Sequence, residues 1–256
     1  MIELKREDEI EVMRRAGRVV ASLLDHLERL VRPGLKTKML DDATRSFLSE
    51  QGAKPAFLGY RGFPASVCVS VNEEVVHGIP GERRIREGDL VSLDAGAVVE
   101  GFYADAARTV VVGTVPARAN RLVETTRQAL DEAISQVTVG NRLSDVSHAV
   151  QRRVEEDGFG IVRDFVGHGI GRALHEDPPI PNFGPPHIGP RLRSGMVLAI
   201  EPMVTLGGYE VEILGDGWTV VTKDRSLAAH FEHTVALTEQ GAEVLTQGLE
   251  ACRKKI

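Results

Sequence analysis

Five residues scattered along the chain are of the types that hold divalent cations: Asp94, Asp105, His168, Glu201 and Glu232. Asp94 and Glu201 each close an apolar run, and a carboxylate at the end of a buried strand is costly unless something partners it. Side chains alternate along a strand, so Leu90, Ser92 and Asp94 share one face, and Val197, Ala199 and Glu201 share the equivalent one. Asp105 faces with Tyr103, Ala107 and Thr109, and Glu232 with His230 and Thr234. His168 stands between Gly167 and Gly169, where nothing is expected to crowd its ring. Singly, each has a bland reading: a strand carboxylate is usually exposed or paired, and a glycine-flanked histidine is usually a loop residue. Gathered together, four carboxylates repel and are driven to take up protons, whereas two divalent cations cancel their charge. Shared carboxylates can bridge ions about 3.5–4 Å apart, the spacing of two-metal hydrolases. Oxygen-rich ligation with one imidazole favours manganese, iron or cobalt, with zinc as an alternative. Cys68 and Cys252 lack zinc-site spacing. His26 and His148 read as solvated helix positions.

These residues need strands to carry them and helices to cover the sheet. Ile10, Met13, Ala16, Val20, Leu23, Leu27 and Leu30 recur at helical steps, and Pro33 and Gly34 end that amphipathic helix. A second helix is expected over 37–51 with Gly52 as its stop, a third over 121–137, and a fourth over 144–157, stopped by Gly158. β-rich runs lie at 66–71, 89–96, 101–113, 164–169, 196–201, 209–222 and 229–238. This order repeats. Setting Gly34 on Gly140 also sets Val31 on Val137, Ala43 on Ala149, Leu48 on Val154, Glu50 on Glu156 and Gly52 on Gly158. One residue further in offset, the run ending in Asp94 falls on the run ending in Glu201. The expectation is an α+β fold: one catalytic domain over 1–256 with a shared sheet and two related halves, about 1–115 and 116–256, a period too long for a solenoid.

Composition agrees with such a domain. The chain has 256 residues, enough to bury a core without disulfide or zinc staples. Its 27% charged and 42% hydrophobic residues are ordinary for a globular protein. A net charge of −6 offers no basic field to phosphates and argues against a dedicated nucleic-acid binder. Two cysteines make no disulfide framework and fit a reducing compartment. The opening MIELKREDEI has no apolar core of the signal-peptide kind, and no run nears the roughly 18 apolar residues of a membrane span. A cytoplasmic chain without a membrane partner is expected.

Longer stretches carry a resemblance. DFVGHGIGRALHEDPPIPNF from Asp164 is similar to the signature of the type I methionine aminopeptidases. So are KPAFLGYRGFPASVCVSVNEEVVHGIP from Lys54, SLDAGAVVEGFYADAARTVVVG from Ser92, AIEPM from Ala199, DGWTVVTKD from Asp216 and FEHTV from Phe231. They follow one another in family order from the first helix as far as Thr246. With no insertion between His168 and Glu201, the chain resembles the short bacterial form. The resemblance implies the pseudo-two-fold "pita-bread" fold of the M24 family: a curved antiparallel sheet covered by two pairs of helices. It implies that Asp94 chelates one ion, that Asp105 and Glu232 bridge, and that His168 and Glu201 complete the other. His77 and His175 match the two catalytic histidines outside the ligand set. Phe57, Tyr60, Phe63, Cys68, Leu174 and Trp218 match the walls around the methionine side chain, with His77 and His175 also touching substrate. Phe57 stands where some members have a small Cys or Thr, Leu174 where some have Phe, and Phe183 where Tyr is usual.

The implied reaction removes the N-terminal methionine of nascent proteins whose second residue is small. Glu201 is then the expected general base, His175 stabilises the developing oxyanion, and His77 meets the scissile amide nitrogen or the next residue. A monomer is expected. A transient ribosome contact would use Arg83, Arg84 and Arg86 or the basic run 253–255, although such short runs are usually solvated surface. Two rivals share these features. An X-Pro aminopeptidase or prolidase uses the same ligands and is separated by Met-Ala-Ser against Ala-Pro-Ala cleavage. A peptide-binding relative with a dead site is separated by its metal content.

Overall fold

Helices and strands alternate in two similar rounds in the computed structural model of the protein, which describes residues 1–248; Cys252 and the basic run 253–255 lie outside the described residues. The first round comprises α1 (Glu7–Leu30), α2 (Lys38–Glu50), β1 (Lys54–Pro55), β2 (Cys68–Val71), β3 (Glu74–Val76), β4 (Leu90–Val99) and β5 (Phe102–Val111). The second opens with α3 (Ala117–Ser135) and α4 (Leu143–Glu156), then β6 (Gly160–Ile161), β7 (Gly167–Gly169), β8 (Glu176–Ile180) and β9 (Val197–Ile200). It closes with β10 (Met203–Thr205), β11 (Val211–Ile213), β12 (Val220–Thr222), β13 (Ala228–His230), β14 (Glu232–Thr238) and β15 (Gly241–Val244).

Helical periodicity located all four helices, and their ends follow local chemistry. Acids at Glu7, Asp8 and Glu9 and a base at Arg29 sit at the ends of α1 that the helix dipole favours. The third helix starts at Ala117 rather than 121, directly after Pro116. Its first turn, Ala-Arg-Ala-Asn, lacks a strong apolar stripe but contains good helix formers. Strands were harder to delimit. The expected run 209–222 is a hairpin of β11 and β12, and 229–238 breaks at Phe231, so that β13 and β14 serve different sheets. The expected strand 164–169 shrinks to Gly167–Gly169. β8 lies outside the expected β-rich runs: Pro178 and Pro179 argue against a strand, yet it forms the sheet edge, where proline is tolerated.

The main sheet runs β1-β4-β5-β14-β9-β7-β8, with β2 on β4 and β15 on β14, and its pairings are antiparallel. It curls into a half-barrel. Two three-stranded sheets, β13-β10-β6 and β11-β12-β3, complete the frame. Both helix pairs bury their stripes on the main sheet. Val20, Leu23 and Leu27 of α1 and Leu40 and Leu48 of α2 pack with Val91, Leu93, Ala104 and Ala106. Leu122 and Leu130 of α3 and Val146 and Val150 of α4 pack with Leu198, Ile200, Val235 and Leu237. The two-residue alternation of a strand then sends Ser92, Asp94 and Gly96 to the opposite face.

Backbone ties recur between the two rounds. Gly34 donates to the Ile85 carbonyl at 2.8 Å, and Gly140 to Leu192 at 3.0 Å. Ile85 donates back to Leu35 at 2.9 Å, and Leu192 to Asn141 at 2.8 Å. Asp89 donates to Arg86, and Met196 to Arg193, both at 3.2 Å. The first two pairs fasten the loop before the second helix of a round to the turn that launches an acid-bearing strand, and the third closes that turn.

Candidate metal centre

Five neighbouring strands each contribute one of the five residues. Asp94 lies on β4 opposite Ala107, and Asp105 on β5 opposite Gly96. Glu232, the first residue of β14, is also paired with Ala107. Glu201 follows the last residue of β9, and His168 on β7 pairs with Ala199 of β9. Adjacent strands lie under about 5 Å apart, so these side chains converge. Ligand atoms of Asp105, His168 and Glu232 come within 4.8 Å of one another. His168 Nε2 stands 3.7 Å from Glu201 Oε1.

The glycines around His168 have a different role from the one their sequence suggests. A Cβ on Gly167 would lie 2.4 Å from the Ala199 carbonyl oxygen, and one on Gly169 would lie 2.1 Å from that of Asp177. They let β7 fit between β8 and β9, which is what brings His168 to the acids. Its tautomer is fixed by a neighbour: Nδ1–H donates to the Gly169 carbonyl at 2.9 Å, leaving Nε2 free to face the carboxylates.

Two threonines clip the floor of the site. Thr234 Oγ1 donates to the Asp105 carbonyl at 2.7 Å and accepts from the Asp105 N–H at 2.9 Å. Thr109 does the same for His230, at 2.9 Å in both directions, and its hydroxyl lies 2.8 Å from Ser92 Oγ. Ser92 thus leaves room beside Asp94 and also anchors a bond.

Burial raises the proton affinity of all four acids. It pushes Asp105 up to about 7. Asp94, Glu201 and Glu232 rise well above the carboxylate range, first through burial and then through the charge of Asp105, to which Glu201 adds for Asp94 and Glu232. Asp94 Oδ1, Asp105 Oδ1 and Glu232 Oε1 are sealed from solvent without a hydrogen-bond partner. Orphaned buried oxygens are rare in native proteins. Two of the three acids, Asp105 and Glu232, converge with His168, and Asp94 lines the same cavity; carboxylates that lack donors beside an imidazole nitrogen fit divalent cations, so the donor set passes the chemical test for a metal centre.

All the remaining sequence-predicted residues open on the same cavity of about 130 Å³: Phe57, Tyr60, Phe63, Cys68, His77, Leu174, His175 and Trp218 line it with the four acids and His168. Gly96 has no side chain, and a Cβ there would meet Ala56 Cβ at 2.8 Å and the Phe57 ring at 3.1 Å. Phe57 therefore lies in the space a larger residue at 96 would fill. Phe63 meets Trp218 edge-on at 5.1 Å, and His77 is flanked edge-on by Phe165 at 5.6 Å and Trp218 at 6.2 Å. His77 has a left-handed backbone, φ 59°, of the kind that clusters at functional sites. His175 has an outer edge open to solvent while its ring packs between Tyr60, 5.3 Å away, and His168, 4.1 Å away. That packing, then His168 and Arg61, push it down to about 3, so it is neutral at pH 7.

Two lining or adjoining residues had no place in the sequence-based site. Arg61 lines the cavity. His230 is buried with Nε2 3.8 Å from Glu201 Oε2; its position two residues before Glu232 was the available signal. His26 and His148 lie elsewhere and are half-buried rather than solvated, the first stacked on Phe47 and the second bonded to the Gly184 carbonyl at 3.2 Å. Arg83 is paired with Glu74 at 2.7 Å, which weakens the basic run 83–86.

A family model for metallopeptidase family M24 matches residues 11–239. The chain belongs to that family. Among its relatives, a methionine aminopeptidase of Clostridium perfringens is 51% identical over 246 residues, covering 96% of this chain and 99% of that protein. Methionine aminopeptidase 1 of Bacillus subtilis is 50% identical over 247 residues, covering 96% and 100%. The crystal structure of a Thermotoga maritima methionine aminopeptidase superposes with a TM-score of 0.95 at 50% identity, over 96% of this chain and all of that one. A Pyrococcus furiosus prolidase shares the fold at a TM-score of 0.79 and 24% identity, and this chain spans 65% of its length. The M24 frame is thus the pita-bread frame expected from the sequence, and this member is a metal-dependent hydrolase of the methionine aminopeptidase type.

Membership in a metallopeptidase family gives the Thr234 clip a measurable role. Thr234→Val leaves the Asp105 backbone groups buried and unpaired, which costs roughly 1–3 kcal/mol of stability. Loss of such an outer support also lowers metal affinity about 10–100-fold. Calorimetric metal titration reads this, and unchanged affinity would remove Thr234 from the site.

The acids predict a pH dependence. A carboxyl group that binds its proton more tightly in the folded state favours folding at low pH. That advantage is lost as pH rises from the unfolded value, about 4 for Asp, through the folded value, about 7 for Asp105. Bound cations relieve the repulsion that the rise creates. The melting temperature of metal-loaded protein should therefore exceed that of EDTA-treated protein by a gap that widens across this window. Equal melting at every pH contradicts the metal centre.

Proposed function

We propose that the protein removes the N-terminal methionine of newly made chains whose second residue is small. One observation carries the reading: the convergent acids share a cavity that is apolar and buried at one end. Phe57, Phe63, Cys68 and Leu174 are buried and Trp218 half-buried, so the first side chain must be uncharged. An enclosed end also suits a chain terminus rather than a mid-chain segment. High identity to methionine aminopeptidases supports this substrate over an X-Pro peptide.

Two ions are proposed, one held by Asp94 and one by His168 and Glu201, with Asp105 and Glu232 shared. The oxygen-rich donors favour manganese, iron or cobalt over zinc. When bound, such ions polarise a carbonyl and acidify water. The protein's own groups supply the rest. Glu201 accepts and returns a proton at its carboxylate. His175, neutral and pinned against His168, directs an N–H at the carbonyl oxygen where charge develops. His77, held between Phe165 and Trp218, faces the scissile amide nitrogen.

The reading treats 1–256 as one catalytic unit of two related halves, acting as a cytoplasmic monomer. The recurrent backbone ties support the halves. No helix among the described residues is long and apolar enough to cross a membrane. A ribosome contact through Arg84 and Arg86 is retained as part of the proposal.

The experiment is a peptide panel followed by mass spectrometry. Met-Ala, Met-Gly and Met-Ser peptides should be cut and Met-Lys and Met-Phe peptides spared. Norleucine should replace methionine with a modest loss, since a pocket gains only about 1–3 kcal/mol from one group of that size. Lysine or glutamate in first position should not be released. Equal rates for Met-Ala and Met-Lys, or preferred cleavage of Ala-Pro-Ala, overturn the proposal.

His175→Ala should keep its metal while kcat drops about 10²–10³-fold, the scale for one donor to a developing oxyanion. Normal turnover at normal metal content would refute the role.

A further inference from the structure

The cavity has one wall residue that neither the ligand set nor the methionine pocket uses. Arg61 is the only permanent cation among its lining residues. Nearby turns and helices pair their arginines: Arg45 with Asp41 at 2.8 Å, Arg83 with Glu74 at 2.7 Å, Arg172 with Glu9 at 2.9 Å. No carboxylate among the described residues pairs with Arg61. Instead its guanidinium lies over the Tyr60 ring, 5.4 Å from the centroid. Tyr60 in turn stacks on His175 at 5.3 Å, nearly parallel at 18°. The cation is therefore held by a ladder of rings that ends beside the reacting centre, while the short turn Tyr60–Gly62 carries it on a left-handed backbone, φ 49°.

Exposure gives the cavity a direction. Phe57, Phe63, Cys68 and Leu174 are buried, whereas Arg61 and His175 are exposed. A peptide whose first side chain fills the buried end must leave past the exposed one. Its second residue passes His77 and His175 and is small under the proposed function. The third residue is the first whose side chain has room to reach outward, about 3.3 Å further per residue of extended chain. It emerges where an unpaired guanidinium waits.

We infer that Arg61 is a specificity-determining residue that receives a carboxylate on the third residue of the substrate. The ligand class is an N-terminal methionyl peptide with Asp or Glu after a small second residue. This rests on the methionine aminopeptidase reading and adds to it a preference beyond the second residue. A guanidinium suits the task because its planar fork matches a carboxylate and its charge does not titrate.

The test compares three C-terminally amidated peptides, Met-Ala-Asp, Met-Ala-Asn and Met-Ala-Lys with a common tail, on metal-loaded protein. The native protein should favour Asp over Lys in kcat/KM by about 2–5-fold, the scale of an exposed ion pair. The preference should fade in high salt. Arg61→Glu should invert it, and Arg61→Lys should keep a reduced part of it. If Arg61→Glu slows all three peptides equally, Arg61 acts only by supporting Tyr60 and His175, and the inference is overturned. An Asp-to-Lys ratio of one in the native protein overturns it equally while leaving methionine removal intact. If no peptide loses methionine, the enzymatic reading falls and this inference with it.

Discussion

Mutual repulsion among four crowded carboxylates, two buried and two half-buried, is the constraint on which the structure turns. Acids seldom stay buried unless something balances them, and here Asp94, Asp105 and Glu232 each keep an oxygen that no protein donor satisfies. The fold does not relieve this. It maintains it, with helices packed on one face of the sheet and hydroxyl clips on the other. The site is therefore pre-strained toward cations, and the folding energy comes from elsewhere. Two apolar cores, one under each helix pair, hold the strands in a register that the acids alone would resist.

Register does the positioning. Each of five adjacent strands delivers one of the proposed ligands, so a slip of one residue in any of them would turn that side chain toward the helices. The defences are local. Thr234 and Thr109 replace ladder bonds where the pairing of β5 with β14 covers only two positions. The recurrent ties at Gly34 and Gly140 set where β4 and β9 begin. Gly167 and Gly169 let β7 approach as closely as the imidazole requires.

Much of this was legible in the sequence because it depended on patterns of period two or near four. Alternation put Asp94 with Ser92, and the helix stripes and the offset between Gly34 and Gly140 gave the repeat. What stayed hidden depended on contacts between distant segments. β8 was masked by prolines that only an edge position tolerates, and the break at Phe231 by a run that reads as one strand. The glycines beside His168 were visible, but their reason was not, since it lies in carbonyls of Ala199 and Asp177. Arg61 gave no signal at all, because a lone arginine in a glycine-rich turn is unremarkable until its ring ladder is seen.

The large sheet and the small β11-β12-β3 sheet take on two kinds of work. The metal floor belongs to the large sheet, whereas His77 follows β3 and Trp218 precedes β12 in a small one, and Tyr60, Arg61 and Phe63 sit on the turn between β1 and β2. Part of the wall thus comes from chain outside the floor's sheet, while Cys68, paired with Asp94, and Leu174 and His175, between β7 and β8, belong to it. A prolidase keeps this fold at 24% identity, so the frame tolerates replacement of most of the sequence that clothes it.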